Sequence, residues 1–260
     1  MDTTTSSDGT TIAFDRLGDG PAVVMIGAGP TDHGANAPVA QLLSAHFTVV
    51  NYDRRARGAS GDTQPFSVDR EYDDLAAVID AAGGAAMLYG YSGGGAIALE
   101  AAARGLAVTR LAAWEPPYFL DDEPRRPPAD YHDRLAAAVA AGRPGEAVAL
   151  FFTVAVGMPG AFVAQLRGSP AWPAMERLGQ ALVYDAQVMG GFRVPADRLG
   201  KVGVPTLVVD GGLTASMSRA ADEVARLLPV ARRRTLAGQP QNVDPAAIAP
   251  VLAEFFAEEG

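Results

Sequence analysis

The chain has 260 residues, 48% hydrophobic and 20% charged, which excludes the disordered and fibrous classes and suits one globular core domain carrying an insertion. A formal charge of −9 repels phosphate backbones and anionic lipid, so no nucleic acid and no membrane surface is expected as a partner. With no cysteine there is no disulfide, no thiolate metal site and no cysteine nucleophile.

The opening MDTTTSSDGTT lacks a basic region followed by an apolar run, and no stretch reaches the roughly 18 apolar residues of a membrane helix, so a cytoplasmic location is expected. Beyond it, short valine- and isoleucine-rich runs alternate with alanine-rich amphipathic segments. That alternation predicts an α/β fold, a mostly parallel sheet with helices on both faces. Strands are expected near 10–17, 22–27, 47–52, 85–90, 108–114, 204–210 and 231–236. Helices are expected near 37–45, 69–82, 94–104, 215–228 and 245–258. The rhythm breaks after residue 118: the proline-rich DDEPRRPPAD leads into DYHDRLAAAVAAG, GEAVALFFTVAVG and PAMERLGQALVYDAQVMGG, three helical patterns without a convincing strand. The expected organisation is therefore a core of residues 1–118 and 200–260, with 119–199 as a helical cap insertion over the carboxyl ends of the strands, where open α/β sheets bind ligands. The arginine run at 232–234 is expected along a strand edge or facing solvent.

The most informative stretch is MLYGYSGGGAIALE. A buried strand runs through Gly90-Tyr91-Ser92-Gly93-Gly94 directly into a small-residue helix, the strand–turn–helix setting of a G-x-S-x-G nucleophile elbow. A serine in so sharp a turn needs glycine two positions before and after it, where the neighbouring backbones approach. Its hydroxyl then projects above the sheet, beside the backbone N–H of Gly93 at the helix start. A phosphate loop fits poorly, because its lysine is missing.

On these residues the chain resembles the α/β-hydrolase fold superfamily over nearly its whole length. It is similar to a bacterial group of small α/β hydrolases through NYDRRARG at 51–58, with Ala56 in place of the group's usual glycine. VVDGG at 208–212, EPP at 115–117 and PVLAEFF at 250–256 also match. The resemblance implies a second oxyanion donor in MIGAGPTDHGAN: Gly27 stands where many members carry histidine, and the N–H of Gly29, or of Ala28, joins that of Gly93. It implies a triad acid too. The loop after Asp210, GGLTASMSR, offers no carboxylate, so Glu115, one strand earlier, is favoured, with Asp210 behind it.

The base is missing. Where the resembled group has a GQTHDV-like sequence before its last helix, this chain has Gly238-Gln239-Pro240-Gln241-Asn242-Val243, so Gln241 occupies the histidine's place. Glutamine accepts no proton at accessible pH, but it donates and accepts hydrogen bonds and is a candidate for holding a bound carbonyl or a water. Of the three histidines, His33 is the one placed to reach a pocket mouth; His132 is expected on a solvated helix face and His46 at a strand edge. Asp53, Arg54 and Arg55 are expected to tie loops together. Tyr91, Trp114, Tyr118 and Phe119 suit an apolar ligand at the pocket mouth. No metal site and no cofactor is expected, and the partner is a small-molecule substrate.

Three readings follow. One is an enzyme acting on a small apolar ester, lactone or thioester through an incomplete triad. The second is a non-hydrolytic enzyme performing elimination, isomerisation or cyclisation of a metabolite in the same pocket. The third is a non-catalytic binding protein.

Overall fold

The computed structural model describes residues 1–258. Its eight strands are β1 (Asp2–Thr5), β2 (Thr11–Leu17), β3 (Ala22–Ile26), β4 (Thr48–Tyr52), β5 (Ala86–Tyr91), β6 (Val108–Trp114), β7 (Thr206–Gly212) and β8 (Ala231–Gln239). They form a single sheet in the order β1-β2-β4-β3-β5-β6-β7-β8. The β1–β2 and β2–β4 pairs are antiparallel and all others parallel, so β3 to β8 present their carboxyl ends along one edge of the sheet.

Seven strands lie where apolar runs predict them. β1 was not expected: DTTT carries no hydrophobic periodicity, and pairing with Thr11–Phe14 alone makes it a strand. β8 runs past its expected end at 236, which brings Gln239 beside Gly212. Its arginines line an outer strand and pair with acids: Arg232 with Glu258, Arg233 with Asp210 and Asp222, and Arg234 with Glu254.

Period-two alternation divides the core into two layers. Val24, Ile26, Val50, Leu88, Leu111 and Val208 face α2 (Val68–Ala81), α3 (Gly93–Ala103) and α10 (Ala215–Leu227). Val23, Met25, Val49, Met87, Tyr89, Trp114 and Val209 face α1 (Ala37–Leu43) and α11 (Pro245–Phe256). Each fully buried valine, leucine or isoleucine contributes about 1.5–3 kcal/mol, so a one-residue slip of a strand would forfeit a whole layer. α11 begins where sequence demands it: Pro245 occupies its first turn and Asp244 accepts the N–H of Ala246.

Between β6 and β7 lie only helices: α4 (Tyr131–Ala140), α5 (Pro144–Leu150), α6 (Gly160–Arg167), α7 (Trp172–Glu176), α8 (Gly179–Met189) and α9 (Ala196–Leu199). The expected helix over 173–191 is two, broken before Gly179, where a Cβ would stand 2.7 Å from the Cβ of Pro144. α5 continues into a π-helical turn at Phe151–Ala155, closed by the N–H of Val156 on the carbonyl of Phe151 at 3.0 Å. No described helix is long and apolar enough to cross a membrane.

A buried charge network joins these helices to the β4 loop. Arg54 forks onto Glu71 of α2 at 2.6 and 2.9 Å and reaches Asp185 of α8 at 2.8 Å. Arg57 meets the other oxygen of Asp185 at 2.8 Å, and Arg55 pairs with Asp74 at 2.7 Å. Arg54 also donates to the carbonyl of Gly27 at 3.3 Å, and so braces the loop after β3.

Candidate active site

Ser92 sits between β5 and α3 at φ 51°, ψ −121°, a left-handed conformation that costs a non-glycine residue on the order of 1–3 kcal/mol. The turn is held by its own N–H on the carbonyl of Trp114 at 2.8 Å and by the N–H of Gly95 on its carbonyl at 2.8 Å. Two glycines make it possible. A Cβ on Gly90 would lie 2.3 Å from the carbonyl oxygen of Gly94, and one on Gly94 would lie 2.1 Å from that of Ile26.

Ser92 opens into a cavity of about 110 Å³ built at the carboxyl ends of five strands. Ala28 and Gly29 follow β3, Ser92 and Gly93 follow β5, Glu115 follows β6, Thr214 follows β7 and Gln241 follows β8. The opposite wall comes from the β6–β7 helices and is mostly apolar: Phe151, Leu182, Ala186, Met189 and Phe192, joined by Phe119 and Tyr131. The ring of Phe151 lies directly over Gly29, where a Cβ would meet its Cζ at 3.0 Å. The backbone N–H groups of Gly29 and Gly93 donate to no protein acceptor among the described residues, which leaves both free at the cavity wall.

Gln241 is the side chain that meets the serine: its Nε2 donates to Ser92 Oγ at 3.4 Å. Its carbonyl accepts from Trp114 Nε1 at 2.9 Å and from the N–H of Val243 at 3.0 Å, so the loop is pinned from below.

The two candidate acids separate clearly. Glu115, at φ 41° and 5% exposed, lines the cavity, and its Oε1 accepts the N–H of Gly211 at 3.0 Å. Burial pushes its pKa above the ordinary glutamate value and the charge of Asp210 adds to this, against the opposing Gly211 N–H and Arg233. Asp210 lies outside the cavity wall, bonded to Ser218, to Thr235 at 2.7 Å and to Arg233 at 2.8 Å. Burial pushes Asp210 up, but those three partners outweigh it and hold the carboxyl below its usual value.

Four residues expected to touch a substrate stand elsewhere, and one of them, Tyr118, is buried in the layer facing α2, α3 and α10. Trp114 is fully buried in the α1/α11 layer, where it supports Gln241 instead of facing the cavity. Tyr91 packs against the same layer and does not line the cavity. His33 is drawn away by carboxylates: Nδ1 lies 2.8 Å from Asp53 and Nε2 3.4 Å from Asp15, and the residue is not part of the cavity wall. Asp32, His33 and Asp53 do bring ligand-type atoms within 4.8 Å of one another. The Asp53 carboxylate, however, is already occupied by the N–H groups of His33 and Ala59 at 2.8 Å each. His132 pairs with Asp133 at 3.1 Å on an exposed helix face, and His46 is exposed before β4.

Asp185, Phe151 and Arg125 also line the cavity and were not singled out from sequence. For Asp185 a signal existed: it shares a helix face with Leu182, Ala186 and Met189, an acid on an otherwise apolar stripe. Burial raises the Asp185 carboxyl, but Arg54 and Arg57 outweigh that and keep it below its usual value. Arg125 stands exposed at the rim and donates to the carbonyl of Val156 at 3.1 Å.

Residues 23–251 match the alpha/beta hydrolase family. An alpha/beta hydrolase from Sphaerobacter thermophilus is similar over 98% of this chain and 100% of its own, at 51% identity and a TM-score of 0.92. A hydrolase from Pseudomonas aeruginosa (23% identity, 99% of this chain and 98% of its own, TM-score 0.78) shares the fold. So does the enol-lactonase from Burkholderia xenovorans (23% identity, 99% of this chain and 100% of its own, TM-score 0.75). No curated protein sequence matches the chain.

Proposed function

The chain belongs to the alpha/beta hydrolase family, and from that membership we propose an enzyme acting on a small, largely apolar ester, lactone or thioester at Ser92, under a helical cap formed by 119–199. The observation that carries this reading is the strained Ser92 turn beside two unoccupied backbone N–H groups, enclosed by an apolar wall. The substrate carbonyl oxygen sits between the Gly29 and Gly93 amides, which stabilise the charge that grows on it as Oγ attacks the carbonyl carbon. As the Oγ–C bond forms, the Oγ proton passes through water to the departing oxygen or sulfur with the Glu115 carboxylate assisting that transfer, and Gln241 orients the serine hydroxyl without taking its proton.

Without an imidazole the hydrolytic rate is expected to be weak. Removing the base from a triad costs several orders of magnitude, while oxyanion stabilisation and binding leave about 10³–10⁴-fold over water. Labelling with a fluorophosphonate and locating the adduct by mass spectrometry tests the reading. Stoichiometric modification of Ser92, with p-nitrophenyl butyrate turnover abolished in Ser92→Ala, supports it. An unlabelled serine, or turnover that survives the substitution, refutes it.

The Gln241–Ser92 contact favours a second reading. An amide donating to Oγ directs the hydroxyl's own hydrogen towards the ligand, an arrangement suited to holding a carbonyl while elimination, isomerisation or cyclisation proceeds without an acyl-enzyme. Activity on a native substrate that persists in Ser92→Ala at more than a few per cent would select it.

A further inference from the structure

Two carboxylates line the cavity, and they are compensated very differently. Asp185 is clasped by Arg54 and Arg57 at 2.8 Å each. Glu115 has one neutral partner, the N–H of Gly211 on Oε1, and no cation; Oε2 has no protein partner among the described residues. The nearby Arg233 is committed to Asp210 and Asp222. Arg125, the cation on the cavity wall, is exposed at the rim and bonded to Val156.

A carboxyl group that is 5% exposed, faces an apolar enclosure and keeps one oxygen unused is costly unless something else satisfies it. Main-chain geometry commits Glu115 to this position. Its N–H is held on the carbonyl of Val209 at 2.9 Å and its φ of 41° directs the chain away from ordinary strand geometry.

Resting on the reading of this cavity as the substrate site, we infer that the ligand is an apolar carbonyl compound carrying a basic nitrogen, and that this nitrogen meets the free oxygen of Glu115. Its hydrocarbon portion lies against Phe151, Leu182, Met189 and Phe192. An ammonium on such a carboxylate forms a charge-assisted hydrogen bond, stronger than that of a neutral hydroxyl. The net charge of −9 adds a long-range pull on cations.

Isothermal titration of the full-length protein with 3-phenylpropylamine, 3-phenylpropan-1-ol and 3-phenylpropionate tests the inference without relying on turnover. The expected order is amine, alcohol, carboxylate, with the amine about tenfold tighter than the alcohol. Glu115→Gln removes that difference and leaves alcohol binding within about twofold. Equal affinity for amine and alcohol, a preference for the carboxylate, or an amine preference that survives Glu115→Gln overturns the inference. In each of those cases alcohol binding leaves the substrate-site reading intact, whereas binding of none of the three overturns both. If the variant fails to fold, a wild-type series without an amine preference still overturns the inference.

Discussion

Gln241→His is the most direct test of how the site is arranged. The terminal Nε2 atoms of glutamine and histidine stand the same number of bonds from Cα, so an imidazole placed at 241 reaches the position from which the amide now meets Ser92 Oγ at 3.4 Å. A general base works at about 2.6–3.2 Å, so the ring has to close by a few tenths of an ångström. Its backbone is held for this by Trp114 Nε1 on the carbonyl of residue 241, a bond the substitution leaves untouched. General-base catalysis contributes about 10²–10⁴-fold, equivalent to about 2.7–5.5 kcal/mol at about 1.36 kcal/mol per decade. The kcat/KM for p-nitrophenyl butyrate should rise by that factor, with a new acidic limb in the pH profile near the imidazole value of about 6.5. The gain should vanish in Gln241→His/Ser92→Ala and shrink in Gln241→His/Glu115→Gln. A rise below about threefold in a folded variant, or a full rise without Ser92, would show that the serine and the lining carboxylate are not poised as a relay.

Other perturbations test the supports of the site. Asp185→Asn leaves Arg54 and Arg57 facing Glu71 alone; breaking a buried pair costs about 3–5 kcal/mol, and the urea midpoint should fall accordingly, a loss under about 1 kcal/mol refuting the clasp. Because burial raises the pKa of Glu115, the folded state holds that proton more tightly than the unfolded chain does. The wild type therefore carries a penalty above the folded-state pKa that disappears below about pH 4. The stability of Glu115→Gln relative to wild type should accordingly climb as the pH rises from about 4 through the folded-state pKa and then level off, and a flat difference would contradict the assignment. Phe151→Ala clears the space over Gly29 and should raise the ratio of kcat/KM for p-nitrophenyl hexanoate over acetate by about threefold or more; an unchanged ratio removes Phe151 from the acyl wall.

What was legible in the sequence divides along physical lines. The Ser92 turn could be read because its requirement is one of backbone space: a Cβ at Gly90 or Gly94 would collide with main-chain carbonyls, so the glycines announce the turn locally. The loop carrying Gln241 was legible for a similar reason, since Pro245 and the Asp244 cap mark the start of the last helix and count back to it. Placing Trp114 and Tyr91 required more. Parity along β6 and β5 groups Trp114 with Ala112, and Tyr91 with Tyr89, so both aromatics belong to the α1/α11 layer. Sequence shows that parity but does not say which residues at a strand's end turn upward. Glu115 escapes the same layering only through its positive φ, which no propensity for glutamate foretells. The setting of His33 was out of reach for a different reason, and for Asp185 only the acid on an apolar stripe could be read: each is positioned by partners distant in sequence, Asp53 and Asp15 for the imidazole, Arg54 and Arg57 for the carboxylate. The charge network thus settles two matters that local pattern leaves open. It removes His33 from the cavity wall, and through Arg54 on Gly27 it ties the placement of α8 to the loop after β3. A substitution in α8 should therefore act on the Gly29 amide as well as on the wall it lines.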